Sequence, residues 1–274
     1  MDVFSADWKE ICRRIVAAQR ELFERTPGSE ARTEYEGVGE GGDRSLVIDR
    51  RCEDVVFAEL EQLAAAGASF VAISEERGEV VFGDGGPGRV VIDPIDGSLN
   101  ARRTLPSHSL SIAVASGPSM ADVEFGYVYD LGAGEEFSAR RGEGAAMDDG
   151  AIEVAADAEK LELLGVESAE PGGLWPVAAA LEGGVYRLRV IGSIAITAAY
   201  VAAGRLDGML SLRPCRSVDA AAAQLIVREA GGRLAFGDLT LSEADLGLDA
   251  RYPIAAAAGE LGLGVVRNAS GEPV

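Results

Sequence analysis

Apolar residues recur along this chain with two different periods, and the change from one to the other divides it. Trp8, Ile11, Cys12, Ile15, Leu22 and Phe23 fall on one face at helical spacing. They predict an amphipathic helix with Ser5 as its cap and Pro27 and Gly28 as its stop. A second helical face, Cys52, Val55, Val56, Leu60 and Leu63, follows the apolar run Leu46, Val47, Ile48, with Asp49 read as its N-cap. Short apolar runs then predict strands at Ser69 to Ile73, Glu79 to Phe82 and Val90 to Ile92, and the Asp84-Gly85 turn between the last two supports a hairpin. Alternation in Leu110, Ile112 and Val114, and in Val123, Phe125, Tyr127 and Tyr129, gives two more strands, with a shorter one near Phe137. The first half is thus helices on an antiparallel sheet.

The stretch MDDGAIEV, 147 to 154, is a turn leading into a strand and marks the expected junction. Beyond it come a strand at Leu163 to Val166, a helix at about 173 to 182, a strand at Tyr186 to Val190, a helix from Ser193 to Ala203 and a strand from Leu206 to Leu212. That order is an α/β pattern. An Ala-rich helix follows Asp219 and ends at Gly231 and Gly232, and Tyr252 to Ala258 reads as a last strand. The fold class is therefore α/β, an α+β half over 1–152 joined to an α/β half over 153–274. Residues 27 to 46, rich in Gly and Glu and containing GVGEGGDRS, read as a loop or hairpin tip of the length that lids have.

Composition narrows the function. With 274 residues and 47% hydrophobic content, the chain can bury a sizeable core. The opening MDVFSADWKE lacks the basic and apolar regions of a signal peptide, and no stretch approaches a membrane span, so the expectation is a cytoplasmic enzyme with no membrane partner. Cys12, Cys52 and Cys215, odd in number and widely spaced, read as small buried hydrophobes. A net charge of −20 argues against nucleic acid as a partner. Lys9 and Lys160 are the only lysines, which suits either hydration in concentrated salt or a GC-rich genome favouring Arg codons.

The chemistry centres on VIDPIDGSLN, residues 91 to 100. A buried strand delivers Asp93 and Asp96 to its C-terminal mouth, the usual place for a site in such sheets. Pro94 stiffens the turn, Ile95 contributes a carbonyl, Gly97 permits close backbone approach, and Ser98 is a good N-cap for a short helix whose N–H groups would face an anion. Asp, Pro and Gly are also ordinary turn residues. Two further acidic features accompany the turn: Glu75 and Glu76 after an apolar run, and Asp219 in RSVDAAAAQLIVREAGG, where helix capping is a competing role. Hard oxygen donors select Mg²⁺ or Mn²⁺ over zinc. Arg213 and Arg216, upstream of Asp219, suggest a substrate with a second anionic group, although neutralising surface acids would occupy them equally well. His108, the only histidine, reads as structural.

An EE pair after a strand, DPIDG with a following Asn, and an Asp with a downstream EAGG resemble the three signatures of the inositol monophosphatase family, Mg²⁺-dependent and often lithium-sensitive sugar phosphatases. The resemblance covers most of the chain, and LRPCRSVD is also similar to archaeal members that act as fructose-1,6-bisphosphatases. It implies a layered αβαβα sandwich holding two or three Mg²⁺ ions. Glu75, Asp93 and the Ile95 carbonyl would hold the first and Asp93, Asp96 and Asp219 the second. It further implies that Glu75 and the Ser98 hydroxyl orient the attacking water, that the Gly97 and Ser98 N–H groups bind phosphate, that Gly192 and Ser193 approach the sugar, and that Asp49 assists beside the metals. A homodimer is implied too. Departures are Ser98 for the usual Thr, Val218 for the Trp before Asp219, and Leu212 where inositol phosphatases carry a ring-binding Glu. The implied function is hydrolysis of a sugar or polyol phosphate, fructose 1,6-bisphosphate, inositol 1-phosphate or both, by metal-activated water. A 3′-nucleotide bisphosphatase and a regulatory binding protein on the same fold are the alternatives.

Overall fold

The computed structural model describes residues 2–30, 32, 35–38 and 44–271. Helix α1 (Trp8–Arg25) follows a single 3-10 turn that consumes Ser5, so its cap is Asp7, which accepts from the Glu10 N–H at 3.1 Å. Strands β1 (Tyr35–Val38) and β2 (Arg44–Leu46) form an antiparallel pair. The centre of the expected lid, 39–43, lies outside the described residues. The chain passes directly from β2 into α2 (Val47–Ala65), which places Asp49 inside the first turn and not at the cap. Val47 and Ile48 join the helix because Ile48 packs with Cys52 and Ile95.

One eight-stranded sheet takes up the rest of the first half. Its strands are β3 (Phe70–Ser74), β4 (Gly78–Phe82), β5 (Arg89–Asp96), β6 (Ser109–Ala115), β7 (Val123–Asp130), β8 (Glu135–Arg140), β9 (Gly144–Met147) and β10 (Gly150–Ile152), in the order β10-β9-β8-β7-β6-β5-β3-β4. The short helix α3 (Ser98–Arg102) follows β5. The hairpin expected across Asp84-Gly85 does not form. β4 pairs with β3, and the glycine turn instead carries β5 to the other side of β3, to which it lies parallel. Burial explains the choice: Val90, Val91 and Ile92 are buried on both faces and demand a central strand, whereas Val81 of β4 is exposed and suits an edge.

The second half contains β11 (Leu161–Glu167), α4 (Pro171–Ala180), β12 (Val185–Arg189), α5 (Ile194–Ala202), β13 (Gly208–Ser211), β14 (Cys215–Arg216), α6 (Ser217–Glu229), β15 (Arg233–Ala235), β16 (Arg251–Tyr252), β17 (Ala255–Ala257) and α7 (Glu260–Ser270). A five-stranded sheet runs β12-β11-β13-β17-β15, and β14 pairs with β16 apart from it. The predicted last strand is split in two, while β15 and α7 were not anticipated. Among the described residues no helix is long and apolar enough to cross a membrane.

The packing is five-layered. Val90, Ile92, Leu110, Ile112 and Tyr127 point from the large sheet onto Trp8, Ile15, Phe57 and Leu60 of α1 and α2. The intervening residues Val91, Ala113 and Val128 point the other way, onto α5 and α6. Those helices also meet Met209 of the small sheet, whose opposite face packs Leu164, Val166 and Leu210 on α4 and α7. This is the αβαβα sandwich. α6 lies between two sheets, which is why Ala220 to Ala223 are all buried and its sequence has no polar face in that stretch. It approaches closely: a Cβ on Gly126 of β7 would stand 2.5 Å from the Ala222 carbonyl oxygen.

Candidate active site

Because β3 and β5 are parallel and Ser74 is in register with Ile92, Glu75 and Asp93 leave the sheet side by side. Strand alternation turns Asp93 to the same face as Val91, toward α5 and α6. The ladder shifts register between Asp93 and Asp96, a bulge that re-aims both acids, and the Ile95 N–H donates to Asp93 Oδ1 at 3.0 Å. Gly97, at φ 88°, occupies the cap position of α3 expected for Ser98, which instead begins the helix. Only glycine fits: a Cβ there would lie 2.9 Å from the carbonyls of Gly192 and Ser107.

The second half meets this turn through the start of α5. Ser193 caps that helix, accepting from the Ile196 N–H at 3.2 Å, and its hydroxyl donates to Asp96 Oδ2 at 2.6 Å. The Ala195 N–H reaches the same oxygen at 2.6 Å. The Gly192 N–H donates to Glu167 Oε2 at 2.8 Å, and Asn100 Nδ2 donates to the Ile191 carbonyl at 2.8 Å. Asp219 lies in the first turn of α6, where it accepts from the Arg216 N–H at 2.9 Å.

Arg216 stands among the acids. Its guanidinium pairs with Glu75, lies 3.0 Å from Asp219 Oδ1 and 4.0 Å from Asp93 Oδ2, and is held protonated by Asp219, Glu75 and Asp93 against the opposing effect of burial. Burial pushes the Glu75 carboxyl up to about 7 in spite of Arg216, and pushes Asp96 up to about 7 with the Asp219 charge adding to it. Asp93 is raised well above the usual carboxylate range by burial and by Glu75, Asp96 and Asp219. Asp93 Oδ2 is buried without a hydrogen-bond partner. An orphaned oxygen in an all-oxygen donor set fits a hard divalent cation. Among the described residues, no three acidic, histidine or cysteine side chains already stand close enough to share one, and the guanidinium lies between them.

A cleft of about 710 Å³ opens above these groups. Asp96, Asp219 and Arg216 lie among its lining residues, with Asn100, Glu167, Gly192 and Arg213 around them. Arg213 is exposed there and paired with Glu170. Leu212 packs with the core of the small sheet. His108 is buried against Phe23 with Nδ1 on the Leu105 carbonyl at 3.1 Å, and burial lowers its pKa, as a structural histidine requires. All three cysteines are buried and unpaired.

Two buried acids that brace the site escaped the sequence reading. Glu53 of α2 accepts from the Ser74 hydroxyl and from the Glu76 and Arg77 N–H groups at 3.3 and 3.2 Å, fixing the turn that carries Glu75. Its signal was a charge amid the apolar face of a helix. Glu167 accepts from the Thr197 hydroxyl at 2.7 Å as well as from Gly192. It follows an apolar strand just as Glu75 does, and that parallel could have found it.

Comparison with known proteins agrees with this geometry. The inositol monophosphatase family model matches residues 9–269. A fructose-1,6-bisphosphatase/inositol-1-monophosphatase of Methanothermobacter thermautotrophicus is 32% identical over 235 residues, 82% of each chain. An inositol-1-monophosphatase of Mesorhizobium japonicum is 34% identical over 201 residues, covering 70% of this chain and 71% of that one. A solved structure described as an inositol monophosphatase-fructose 1,6 bisphosphatase superposes with a TM-score of 0.84 at 24% identity, covering 96% of this chain and all of the other. The match spans both sheets and every acid of the cleft, so this chain belongs to the inositol monophosphatase family and is, with it, a phosphatase.

Proposed function

We propose that this phosphatase hydrolyses a sugar or polyol phosphate, with fructose 1,6-bisphosphate preferred over inositol 1-phosphate, and that it needs Mg²⁺ or Mn²⁺ to do so. The family is generally metal-dependent, typically on Mg²⁺. The observation that carries the reading is the buried, unpartnered Asp93 Oδ2, which Glu75, Asp96 and Asp219 all repel, the last two of them lining the cleft. Glu75, Asp93 and the Ile95 carbonyl would hold one ion and Asp93, Asp96 and Asp219 a second. When bound, such ions supply Lewis-acid charge to the phosphoryl and water oxygens.

The chain's own groups do the rest. Glu75 and the Ser98 hydroxyl orient the attacking water, and the Gly97 and Ser98 N–H groups cradle phosphate at the left-handed turn. Gly192 borders the sugar, while Ser193 acts through Asp96, on which its hydroxyl is spent. Arg213 at the cleft wall and Arg216 below it answer a second anionic group. In this reading residues 1–152 form the metal-binding half and 153–274 bring Asp219 and the sugar side. The protein acts in the cytoplasm as a homodimer, which sedimentation checks.

Phosphate release from both substrates, with and without Mg²⁺, tests the proposal. Activity should require the metal, and kcat/KM should favour fructose 1,6-bisphosphate. Arg213→Ala should narrow that preference roughly tenfold to a hundredfold, the worth of one charged hydrogen bond of ~1.5 to 3 kcal/mol. A preference for inositol 1-phosphate would sink the bisphosphatase reading, and undiminished activity in chelator would sink the metal.

A further inference from the structure

The acids assigned above to metal ions already hold a cation of the chain's own. Arg216 has a side chain only 17% exposed and directs its guanidinium at the acids of the site. It pairs with Glu75, touches Asp219 through Nη2 at 3.0 Å and Nε at 3.1 Å, and faces the orphaned oxygen of Asp93. Three buried carboxylates with the half-buried Glu75 beside them repel one another, and a guanidinium among them relieves the repulsion. A divalent ion would relieve it too, at the same oxygens. The two compete: Glu75 Oε1 and Asp219 Oδ1 are turned to the guanidinium, Asp219 Oδ2 takes the Arg216 N–H, and among the described residues no three acidic, histidine or cysteine side chains converge. Arg216 also lines the cleft, so it has somewhere to go.

We infer that Arg216 is a tethered counter-ion that occupies the carboxylate cluster of the metal-free protein, leaves it when Mg²⁺ enters, and thereby sets the affinity for the metal. The inference rests on the metal-dependent reading above. Metal must select the arginine-out state, so its apparent dissociation constant is raised by the rarity of that state. An anionic substrate favours the same state by offering the displaced guanidinium a partner, which couples metal loading to substrate binding.

The test is calorimetric titration of Mg²⁺ into chelator-stripped wild type, Arg216→Met and Arg216→Lys, with melting curves alongside. Arg216→Met should bind Mg²⁺ about tenfold tighter or more, and Arg216→Lys should fall between. Stripped of metal, Arg216→Met should melt below wild type, and saturating Mg²⁺ should close the gap. A wild-type measurement guards against a variant that fails to fold: the arginine Nε–H resonance missing from Arg216→Lys should exchange faster with water as Mg²⁺ is added. Dissociation constants within about twofold of each other, weaker binding by Arg216→Met, or an unmoved resonance at saturating Mg²⁺ would each overturn the inference. If no variant binds Mg²⁺ while phosphate release persists, it is the metal reading itself that fails.

Discussion

Ser193 donates its hydroxyl to Asp96 at 2.6 Å across a sequence separation of 97 residues, so a helix cap in one half of the chain orients an acid in the other. The same oxygen takes the Ala195 N–H at 2.6 Å, so both bonds fall on one oxygen of an acid that lines the cleft. Ser193→Ala should therefore cost about 1 to 2 kcal/mol of stability, as a lost cap and a lost charged hydrogen bond. Its signature is kinetic: activity should fall most at low Mg²⁺ and recover as Mg²⁺ is raised. A loss independent of Mg²⁺ would mean that Ser193 meets the sugar directly.

Asp93→Asn should remove most activity while the fold survives, and the metal-free protein should melt higher, because the substitution neutralises an acid that Glu75, Asp96 and Asp219 repel. Wild-type rates in this variant would refute the mechanism. Asp219→Asn should also be inactive but less stable by ~1 kcal/mol, since Asp219 accepts from the Arg216 N–H at the start of α6. Melting and phosphate release measured together separate the two roles.

Glu75 and Asp96, each pushed up to about 7 by burial, bind protons more tightly in the folded chain than in the unfolded one. Their contribution to stability is complete below the unfolded carboxylate range of about 4 and is lost as pH rises through about 7. Metal-free protein should thus lose melting temperature between pH 5 and 7, by the slope of about one to two groups, and Asp93, raised well above the usual carboxylate range, should prolong the fall. Asp96→Asn should flatten the curve. A wild-type curve that rises across this window would contradict the shifts.

The balance of 45 acidic against 25 basic residues predicts a melting temperature that climbs from low to molar KCl as surface repulsion is screened. A flat series would leave codon usage as the account of the two lysines.

What the sequence disclosed about the site was Glu75, Asp93 and Asp96, because they follow apolar runs and a strand's end is where side chains become available, together with Asp219 through its motif. What it hid was their arrangement. The glycine turn before β5 has the composition of a hairpin, and only the burial of Val90, Val91 and Ile92 on both faces says that β5 crosses to the far side of β3. Pairing is a non-local property, whereas turn chemistry is local. Arg216 was legible as a charge near Asp219 but not as a charge between Glu75 and Asp219, since Glu75 is 141 residues away. The cap of α3 went to Gly97 because the approach of Gly192 and Ser107 leaves no room for a side chain, a constraint set by other parts of the chain. Helix α7 escaped because Gly262 and Gly264 interrupt its apolar face.

The near-contact of Gly126 with Ala222 makes α6 a beam resting on a fulcrum. Asp219 is at the beam's tip, one turn from the support, so a methyl group added at Gly126 would lift an acid it never touches. Residues deep in the sheet are in that sense a ruler for the cleft: their bulk sets the gap between β5 and α6 that a cation, under the proposed function, would meet. Core substitutions in this protein should accordingly be scored by metal titration as well as by melting, because a change that the fold absorbs without complaint can still detune the distance between Asp93 and Asp219.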